Sequence, residues 1–297
     1  MFTKLSDVNK AVIFSVLALA LALVMIPVAA TGGLITMLAY MWTPGIAVLV
    51  MLLVVTRDGF SREGWKSLGL HRLGLSVWWI AFLAALLISM IAAAIVWATP
   101  LASFVVPETL GEEAFEFLIL GLIFGTIVIS MGEELGWRGY LLPRLLPLGK
   151  TRALVLVGLI QAAWHMPLIF FTTEIYAPEA NKLIVLPLFV GTIIGESFFL
   201  GPLRLYTGSV WPASLGHSMH NAAWPLLGAL TATSSPIVVN YYLAGDAGIL
   251  IVVGLAVVGI WLAYRFRGSP AIPQDEAPPL DIGGGEEPPS SEAPAPG

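Results

Sequence analysis

The sequence contains no cysteine and few charged residues. Its 297 residues include 14 Lys and Arg and 19 Asp and Glu, so only 11% are charged, against about 25% in an ordinary soluble domain. The lack of cysteine excludes disulfides, thiolate metal ligands and cysteine nucleophiles, and it leaves the redox compartment open. No basic patch interleaved with aromatic residues is present either, so nucleic-acid binding has no support.

Hydrophobic residues make up 58% of the chain, and the mean hydropathy is +0.88. Apolar stretches of about 20 residues are long enough to cross a bilayer as helices. They predict eight transmembrane helices, at roughly 11–30, 34–55, 76–98, 114–137, 152–171, 184–203, 209–230 and 247–265. We therefore expect an all-α fold, a polytopic membrane helix bundle, and a multi-pass protein of the plasma membrane whose first partner is the lipid bilayer.

The connections between these helices alternate in charge. The connections 56–75 and 138–152 each carry four Lys or Arg residues, and Arg204 follows the predicted sixth span. Glu and Asp predominate in the other connections, where Lys182 is the only base. Because basic loops stay on the cytoplasmic side, both termini are predicted to be cytoplasmic (N-in and C-in), and the even number of spans agrees.

The same patterns divide the chain into regions. A transmembrane bundle is expected over 1–267, with its catalytic core at about 114–230. The segment 56–75 mixes bases with apolar residues and predicts a short amphipathic helix on the cytoplasmic leaflet. The remainder, 268–297, is acidic and rich in Pro and Gly, which is typical of a disordered tail. The apolar run 11–30 is longer than a signal-peptide core, so we interpret it as a retained first span.

Two G-x-x-x-G pairs lie in predicted spans, at Gly121/Gly125 and at Gly191/Gly195. Glycines at this spacing let two membrane helices approach closely. They predict helix packing and indicate no function.

The candidate functional residues begin with a pair of carboxylates in the predicted fourth helix. Glu133 and Glu134 follow the apolar run FLILGLIFGTIVISMG, and a charge at the bilayer centre costs about 2.5–3.5 kcal/mol. Glu134 and Arg138 are spaced i, i+4 and can form an ion pair on one face, whereas Glu133 points about 100° away. We expect the fourth helix to run toward the cytoplasm and to end near Glu133. The alternative is that both carboxylates are solvated at the cytoplasmic interface and have no function.

Histidines in two other predicted spans add to this set. His165 lies in the fifth span, and Pro167 is expected to kink the helix beside it. In the seventh span His217 and Asn221 are spaced i, i+4 and share a face, whereas His220 is expected to point away. The alternatives are a histidine hydrogen-bonded within the core and a polar pair that only links helices.

The order of the spans brings these residues together. The fourth, fifth and seventh helices can meet in the cytoplasmic half of one bundle. A carboxylate and a neutral imidazole beside one water molecule form a general base. Glu196, in the sixth span, can face the same cavity or pair with a neighbouring histidine, and the sequence gives it no catalytic role.

Two of these patterns resemble motifs of the CAAX-protease and bacteriocin-processing family of intramembrane endopeptidases, also called the Abi family. The family motif E-E-x-x-x-R is similar to Glu133, Glu134 and Arg138. The motif H-x-x-x-N is similar to His217 and Asn221.

The family's second motif matches only in part. It is F-x-x-x-H followed closely by proline, and His165 and Pro167 agree with it. The aromatic position is Gln161, a departure that we interpret as affecting packing more than catalysis. The whole resemblance covers about 130–225.

The resemblance implies hydrolysis of peptide bonds in membrane-bound proteins, including prenylated proteins with a CAAX ending. By position, Glu133 and His165 would activate water, while His217 and Asn221 would stabilise the oxyanion. The ion pair of the first motif would order the site.

Cofactor use is left open by the sequence. Glu133, His165 and His217 could supply three ligands to a zinc ion with a fourth position free. However, the sequence has no H-E-x-x-H, and a metal-free glutamate mechanism fits the motifs equally well.

Two other functions compete with the endopeptidase. Intramembrane Glu and His also occur in proton relays, so a proton-coupled transporter is one alternative, although no inverted repeat of broken helices is evident. A non-catalytic immunity or scaffold protein of the same fold is the other. Such a protein has no need for the four polar residues Glu133, His165, His217 and Asn221 together.

Overall fold

The computed structural model describes residues 5–172 and 177–268. The predicted disordered tail lies outside these residues, apart from its first position. Within them the chain is an all-α bundle, as expected. In chain order its helices are α1 (Asp7–Ala29), α2 (Leu34–Met41), α3 (Thr43–Val55), α4 (Arg62–Lys66), α5 (Leu75–Trp97), α6 (Leu110–Leu148), α7 (Lys150–Phe171), α8 (Lys182–Thr207), α9 (Trp211–Ala229) and α10 (Ile249–Arg265).

Helices occupy all eight of the predicted stretches, but fewer of them meet the length and hydropathy expected of a membrane span. Five do so among the described residues (α1, α5, α6, α7 and α8), and a sixth is added if α2 and α3, bent by 41°, form one span. Of the remaining two, α10 has only 17 residues, and α9 carries the polar residues of the site. The multi-pass character is therefore clear, and the number of spans by these criteria is five or six.

The fourth helix was expected to end near Glu133, but it does not. Helix α6 continues through it to Leu148, and only Gly149 separates α6 from α7. The predicted basic connection 138–152 is therefore almost entirely helical, and both Arg138 and Arg144 in it are buried. These arginines are not loop residues that mark an interface, because each is paired inside the protein.

Irregular helix geometry accompanies this extension. Leu135–Leu141 is a π-helix, in which hydrogen bonds span five residues. Pro143 follows in the first turn of the next α-helical segment, where its missing N–H costs little. Proline therefore does not end the helix at this point.

Arg204 was expected to follow the sixth span, but it lies within α8 and is buried. Its Nε donates to the carbonyl oxygen of Arg138 at 3.2 Å, and its NH2 donates to the carbonyl oxygen of Ser67 at 2.8 Å. This side chain thus joins α6, α8 and the segment after α4.

The predicted amphipathic segment 56–75 contains one α-helix of five residues, α4. Ser61 caps it by accepting a hydrogen bond from the backbone N–H of Gly64 at 3.1 Å. Leu68 is buried in the core, whereas Phe60 and Trp65 are exposed. The exposed aromatics agree with a position at the membrane interface, which stays a prediction.

Helix α9 packs against three other helices, α5, α6 and α8. The first G-x-x-x-G pair permits its close approach to α6. A Cβ on Gly121 would lie 2.6 Å from the Cβ of Ala222, and a Cβ on Gly125 would collide with Ser218. The second pair packs α8 against α10, where a Cβ on Gly195 would lie 2.8 Å from that of Leu255.

Two short strands connect loops at one end of the bundle. Strand β1 (Ala102–Phe104) pairs antiparallel with β2 (Thr231–Thr233), with Ala102 opposite Thr233. This pairing ties the α5–α6 connection to the chain that follows α9. It holds in place the segment leading to Asp246, which contributes to the site described next.

Candidate active site

The polar residues predicted from α6, α7 and α9 surround one cavity of about 210 Å³. Glu133, His165, His217 and Asn221 all line it. The Glu134 side chain lies behind this wall, where it contacts the cavity residue His217. The structure therefore brings the predicted site residues together.

Both carboxylates of the doublet are buried. Glu133 is 3% exposed and Glu134 is fully enclosed, so the alternative in which both are solvated at an interface is wrong for this structure. Glu134 Oε1 accepts a hydrogen bond of 2.7 Å from Arg138 NH1, an i, i+4 ion pair as predicted. The two carboxylates differ in surroundings, because Glu134 is paired with an arginine whereas Glu133 faces the cavity.

The Glu133 carboxylate is held by two neutral donors. Its Oε2 accepts from Trp137 Nε1 at 3.2 Å and from Gln161 Nε2 at 3.3 Å. The first donor lies one turn further along α6, and the second lies on α7. These bonds fix the position of the carboxylate on the cavity wall.

Gln161 corrects the interpretation made from the sequence, where it stood at an aromatic position of the family motif. It is fully buried, and both ends of its amide are used. Oε1 accepts from Arg138 NH1 at 2.9 Å while Nε2 donates to Glu133. The position therefore joins the two halves of the carboxylate doublet, and it is not a packing position alone.

The His165 ring has a defined orientation. Its Nδ1 lies 2.9 Å from the backbone carbonyl oxygen of Gln161. Because a carbonyl oxygen can only accept, Nδ1 carries a proton, and in the tautomer that this contact selects Nε2 presents its lone pair. That atom lies 4.0 Å from Glu133 Oε2. Helix α7 continues past Pro167 to Phe171.

The His217 ring is oriented in the same way by a different acceptor. Its Nδ1 lies 2.8 Å from Glu134 Oε1, the oxygen that also accepts from Arg138. An ionised carboxylate only accepts hydrogen bonds, so Nδ1 is the donor and Nε2 is directed away from Glu134. A carboxylate behind a histidine fixes its tautomer and stabilises its protonated form.

A second polar cluster lies on the same cavity. It contains His220, which the sequence placed on a different face from His217, together with Glu196 and Asp246. His220 Nε2 is 3.1 Å from Asp246 Oδ1 and 3.7 Å from Glu196 Oε1. Glu196 thus faces the cavity and a histidine, as expected, whereas Asp246 was not among the residues predicted for the site.

Asp246 reaches the cavity from the connection before α10. About a third of its side chain (36%) remains exposed. Burial would raise the pKa of the Asp246 carboxyl, but the hydrogen bond and charge of His220 outweigh this effect and lower it below its ordinary value. Asp246 is therefore ionised at neutral pH.

The arrangement does not form a ready metal site. Between residues 5–172 and 177–268, no group of three or more His, Cys, Asp or Glu side chains is placed to hold a metal ion. Glu133, His165 and His217, the predicted zinc ligands, share the cavity but do not form such a group. The residues as placed do not fit a zinc ion.

Comparison with known families agrees with the motifs. Residues 114–223, from α6 to α9, match the family model described as type II CAAX prenyl endopeptidase Rce1-like. No curated protein matches the chain. The matched segment includes all six residues predicted for the site, and it excludes Asp246.

Proposed function

We propose, from the premise that residues 114–223 form a domain of the Rce1-like family of type II CAAX prenyl endopeptidases, that this chain hydrolyses peptide bonds of membrane-associated proteins by means of a water activated by Glu133 and His165. The domain supports a CAAX-type intramembrane endopeptidase in general. The geometry of the cavity supports the roles that we propose for individual residues.

The observation that carries the proposal is the distance of 4.0 Å between Glu133 Oε2 and His165 Nε2. A water molecule can lie about 2.8 Å from both atoms, which is hydrogen-bonding distance. It would donate one proton toward the carboxylate and the other toward the Nε2 lone pair. As the water oxygen attacks the scissile carbonyl carbon, Glu133 would take the proton and later deliver it to the leaving amine.

The opposite wall supplies the groups that a tetrahedral oxyanion needs. His217 Nε2 faces away from Glu134, and the carboxylate behind the ring favours the imidazolium, whose Nε2–H would donate to the oxyanion. The Asn221 amide, one helical turn away on the same face, would supply a second donor. Donors that are already in place cost little reorganisation as charge develops.

Glu134 and Arg138 would position His217, the first of these two donors. Arg138 holds Glu134 at 2.7 Å, and Glu134 holds His217 at 2.8 Å. This series places a charge-assisted hydrogen bond behind the oxyanion donor. We assign Glu134 and Arg138 to positioning rather than to contact with the substrate.

We further propose that the substrate is a membrane-bound or prenylated protein and that the enzyme works in the plasma membrane. The site lies inside a bundle of apolar helices, and apolar residues such as Met41, Ile129 and Ile193 complete the cavity wall. A substrate anchored in the bilayer can enter without crossing water.

Cleavage of prenylated CAAX peptides and of a panel of membrane proteins by the purified full chain tests the function. We expect cleavage by the wild type and its loss in both Glu133→Ala and His165→Ala, with the exposed Glu112→Ala as a matched control. Equal cleavage by all four proteins would overturn the assignment. Proton-coupled solute uptake into liposomes, without proteolysis, would support the transporter instead.

A further inference from the structure

The second polar cluster of the cavity has more acceptors than donors. Glu196 and Asp246 both lie close to Nε2 of His220, at 3.7 Å and 3.1 Å. Glu196 is 3% exposed. One imidazole supplies at most one positive charge, so with both carboxylates ionised the cluster is negative in either protonation state of His220.

Thr192 provides an independent indication that a ligand belongs here. It lies on α8 one turn before Glu196, lines the same cavity and is 2% exposed. Its Oγ1 has no hydrogen-bond partner among the described residues. A buried hydroxyl without a partner is costly, and helical threonines can usually bond to a backbone carbonyl of the preceding turn. The oxygen is therefore free for a group that enters the cavity.

The chemistry of the cluster selects the kind of ligand. An anion would meet two carboxylates, and the described residues hold no group suited to a metal ion. An ammonium group has three N–H donors and no acceptor. Its three donors match in number the three acceptor groups Glu196, Asp246 and Thr192 Oγ1 that line the cavity, and charge-assisted bonds of this kind are the stronger ones.

We propose that Thr192, Glu196, His220 and Asp246 form a subsite that binds a lysine side chain of the substrate. The proposal rests on the endopeptidase function and adds a substrate class to it. His217 and His220 are three residues apart on α9, about 4.5 Å along the helix axis, and an extended peptide advances about 3.3–3.6 Å per residue. The lysine is therefore expected one or two residues from the scissile bond.

A peptide series tests the subsite with the full chain in nanodiscs. Each peptide is farnesylated and fluorogenic. It carries Lys, norleucine or Glu at one of four positions, which are the two residues before and the two residues after the scissile bond. At one position we expect kcat/KM for Lys to exceed that for norleucine by about tenfold, since charge-assisted hydrogen bonds are replaced by none. Glu at that position should give the lowest value.

The variant that removes both carboxylate charges, Glu196→Gln/Asp246→Asn, should bring the Lys to norleucine ratio close to one. Glu108→Gln/Glu112→Gln is the matched control, because it removes two exposed carboxylates and should retain the ratio. A wild-type ratio of one, or an equal ratio in both double variants, overturns the subsite even if all peptides are cleaved.

A binding measurement separates this failure from failure of the proposed function. Binding of the Lys and norleucine peptides to the Glu133→Gln variant is measured as the increase in its unfolding temperature. This measurement does not require cleavage. Tighter binding of the Lys peptide supports the subsite. Equal binding, or none, overturns it. Wild-type protein that cleaves none of the series, although Lys peptides bind more tightly, contradicts the endopeptidase and leaves a lysine-binding cavity.

Discussion

Gln161 Nε2 donates a hydrogen bond of 3.3 Å to Glu133 Oε2, which connects α7 to the carboxylate that faces the cavity. The other end of the same amide accepts from Arg138 at 2.9 Å, and the backbone carbonyl of Gln161 holds His165. One buried residue is thus in contact with Glu133, with Arg138 of the ion pair and with His165. A change at this position should affect the arrangement of the site more than the affinity for substrate.

Replacing Gln161 by Met removes both amide contacts and keeps a similar volume. Hydrogen bonds to charged groups contribute about 1.5–3 kcal/mol each, so we expect kcat to fall by about 10- to 100-fold, with KM little changed. Steady-state kinetics on a cleaved peptide checks this.

Gln161→Glu is the comparison, because it keeps the acceptor for Arg138 and loses the donor to Glu133. It should be at least as impaired as Gln161→Met. Wild-type kcat in Gln161→Met would show that the contact with Glu133 has no part in the reaction.

The ion pair of Glu134 and Arg138 should be more sensitive to the loss of one partner than of both. Neither side chain is exposed, and removal of one member of a buried pair costs about 3–5 kcal/mol because a buried charge is left alone. Arg138→Met should therefore lower the unfolding temperature more than the double variant Glu134→Gln/Arg138→Met does.

Thermal unfolding followed by tryptophan fluorescence measures this difference. The double variant should also lack activity, because His217 has lost the carboxylate that contacts its Nδ1. If the double variant unfolds at a lower temperature than Arg138→Met, the charge of Glu134 is not what destabilises the single variant.

Asn221 should contribute to the rate rather than to binding. Loss of one preorganised donor to an oxyanion lowers kcat by about 100- to 1000-fold in enzymes with an oxyanion hole. We expect such a decrease for Asn221→Ala, with KM within a few-fold of the wild type. Asn240→Ala, which alters another amide on the cavity wall, is the control and should retain most of kcat. Equal decreases in the two variants would argue against a specific donor.

Chelation tests the choice between a metal-free and a zinc mechanism. The described residues contain no group of three ligands for a metal ion, so we expect peptide cleavage to persist after treatment with a zinc chelator and removal of the chelate. Metal analysis of the same sample should find much less than one zinc per chain. Activity that is lost on chelation and restored by added zinc would favour Glu133, His165 and His217 as ligands.

Much of the fold and part of the site could be predicted from local patterns. Long apolar runs identified the helical stretches because a span needs about 20 such residues. The i, i+4 spacing of Glu134 and Arg138 predicted their contact, since four residues make about one helical turn. Both inferences need only neighbours along the chain.

Features were missed where a helix continues beyond its expected end or where the contacting residues are distant in sequence. Arg144 suggested a cytoplasmic loop, but its NH1 donates to the carbonyl of Tyr140 and its guanidinium stacks 3.4 Å above that ring, which allows it to be buried. Gln161 was interpreted as a replacement of the motif's aromatic residue that affects packing, because its partners on α6 are distant in sequence. Asp246 had no sequence signal, because a loop remote in sequence brings it to the cavity.

Close packing of α6 on α9 should be necessary for the site, because these helices carry Glu133 and His217. A Cβ on Gly121 would lie 2.6 Å from the Cβ of Ala222, next to Asn221. Overpacking of this kind costs about 1–3 kcal/mol. We therefore expect Gly121→Ala to lower both the unfolding temperature and kcat.

Gly191→Ala is the matched control within the second G-x-x-x-G pair. Its added Cβ would meet Val252 at 3.4 Å, an ordinary van der Waals contact, and alanine is favoured over glycine in a helix by about 1 kcal/mol. This variant should be as stable as the wild type or more stable, with unchanged cleavage. Equal effects of the two substitutions would mean that helix approach at Gly121 does not set the geometry of the site.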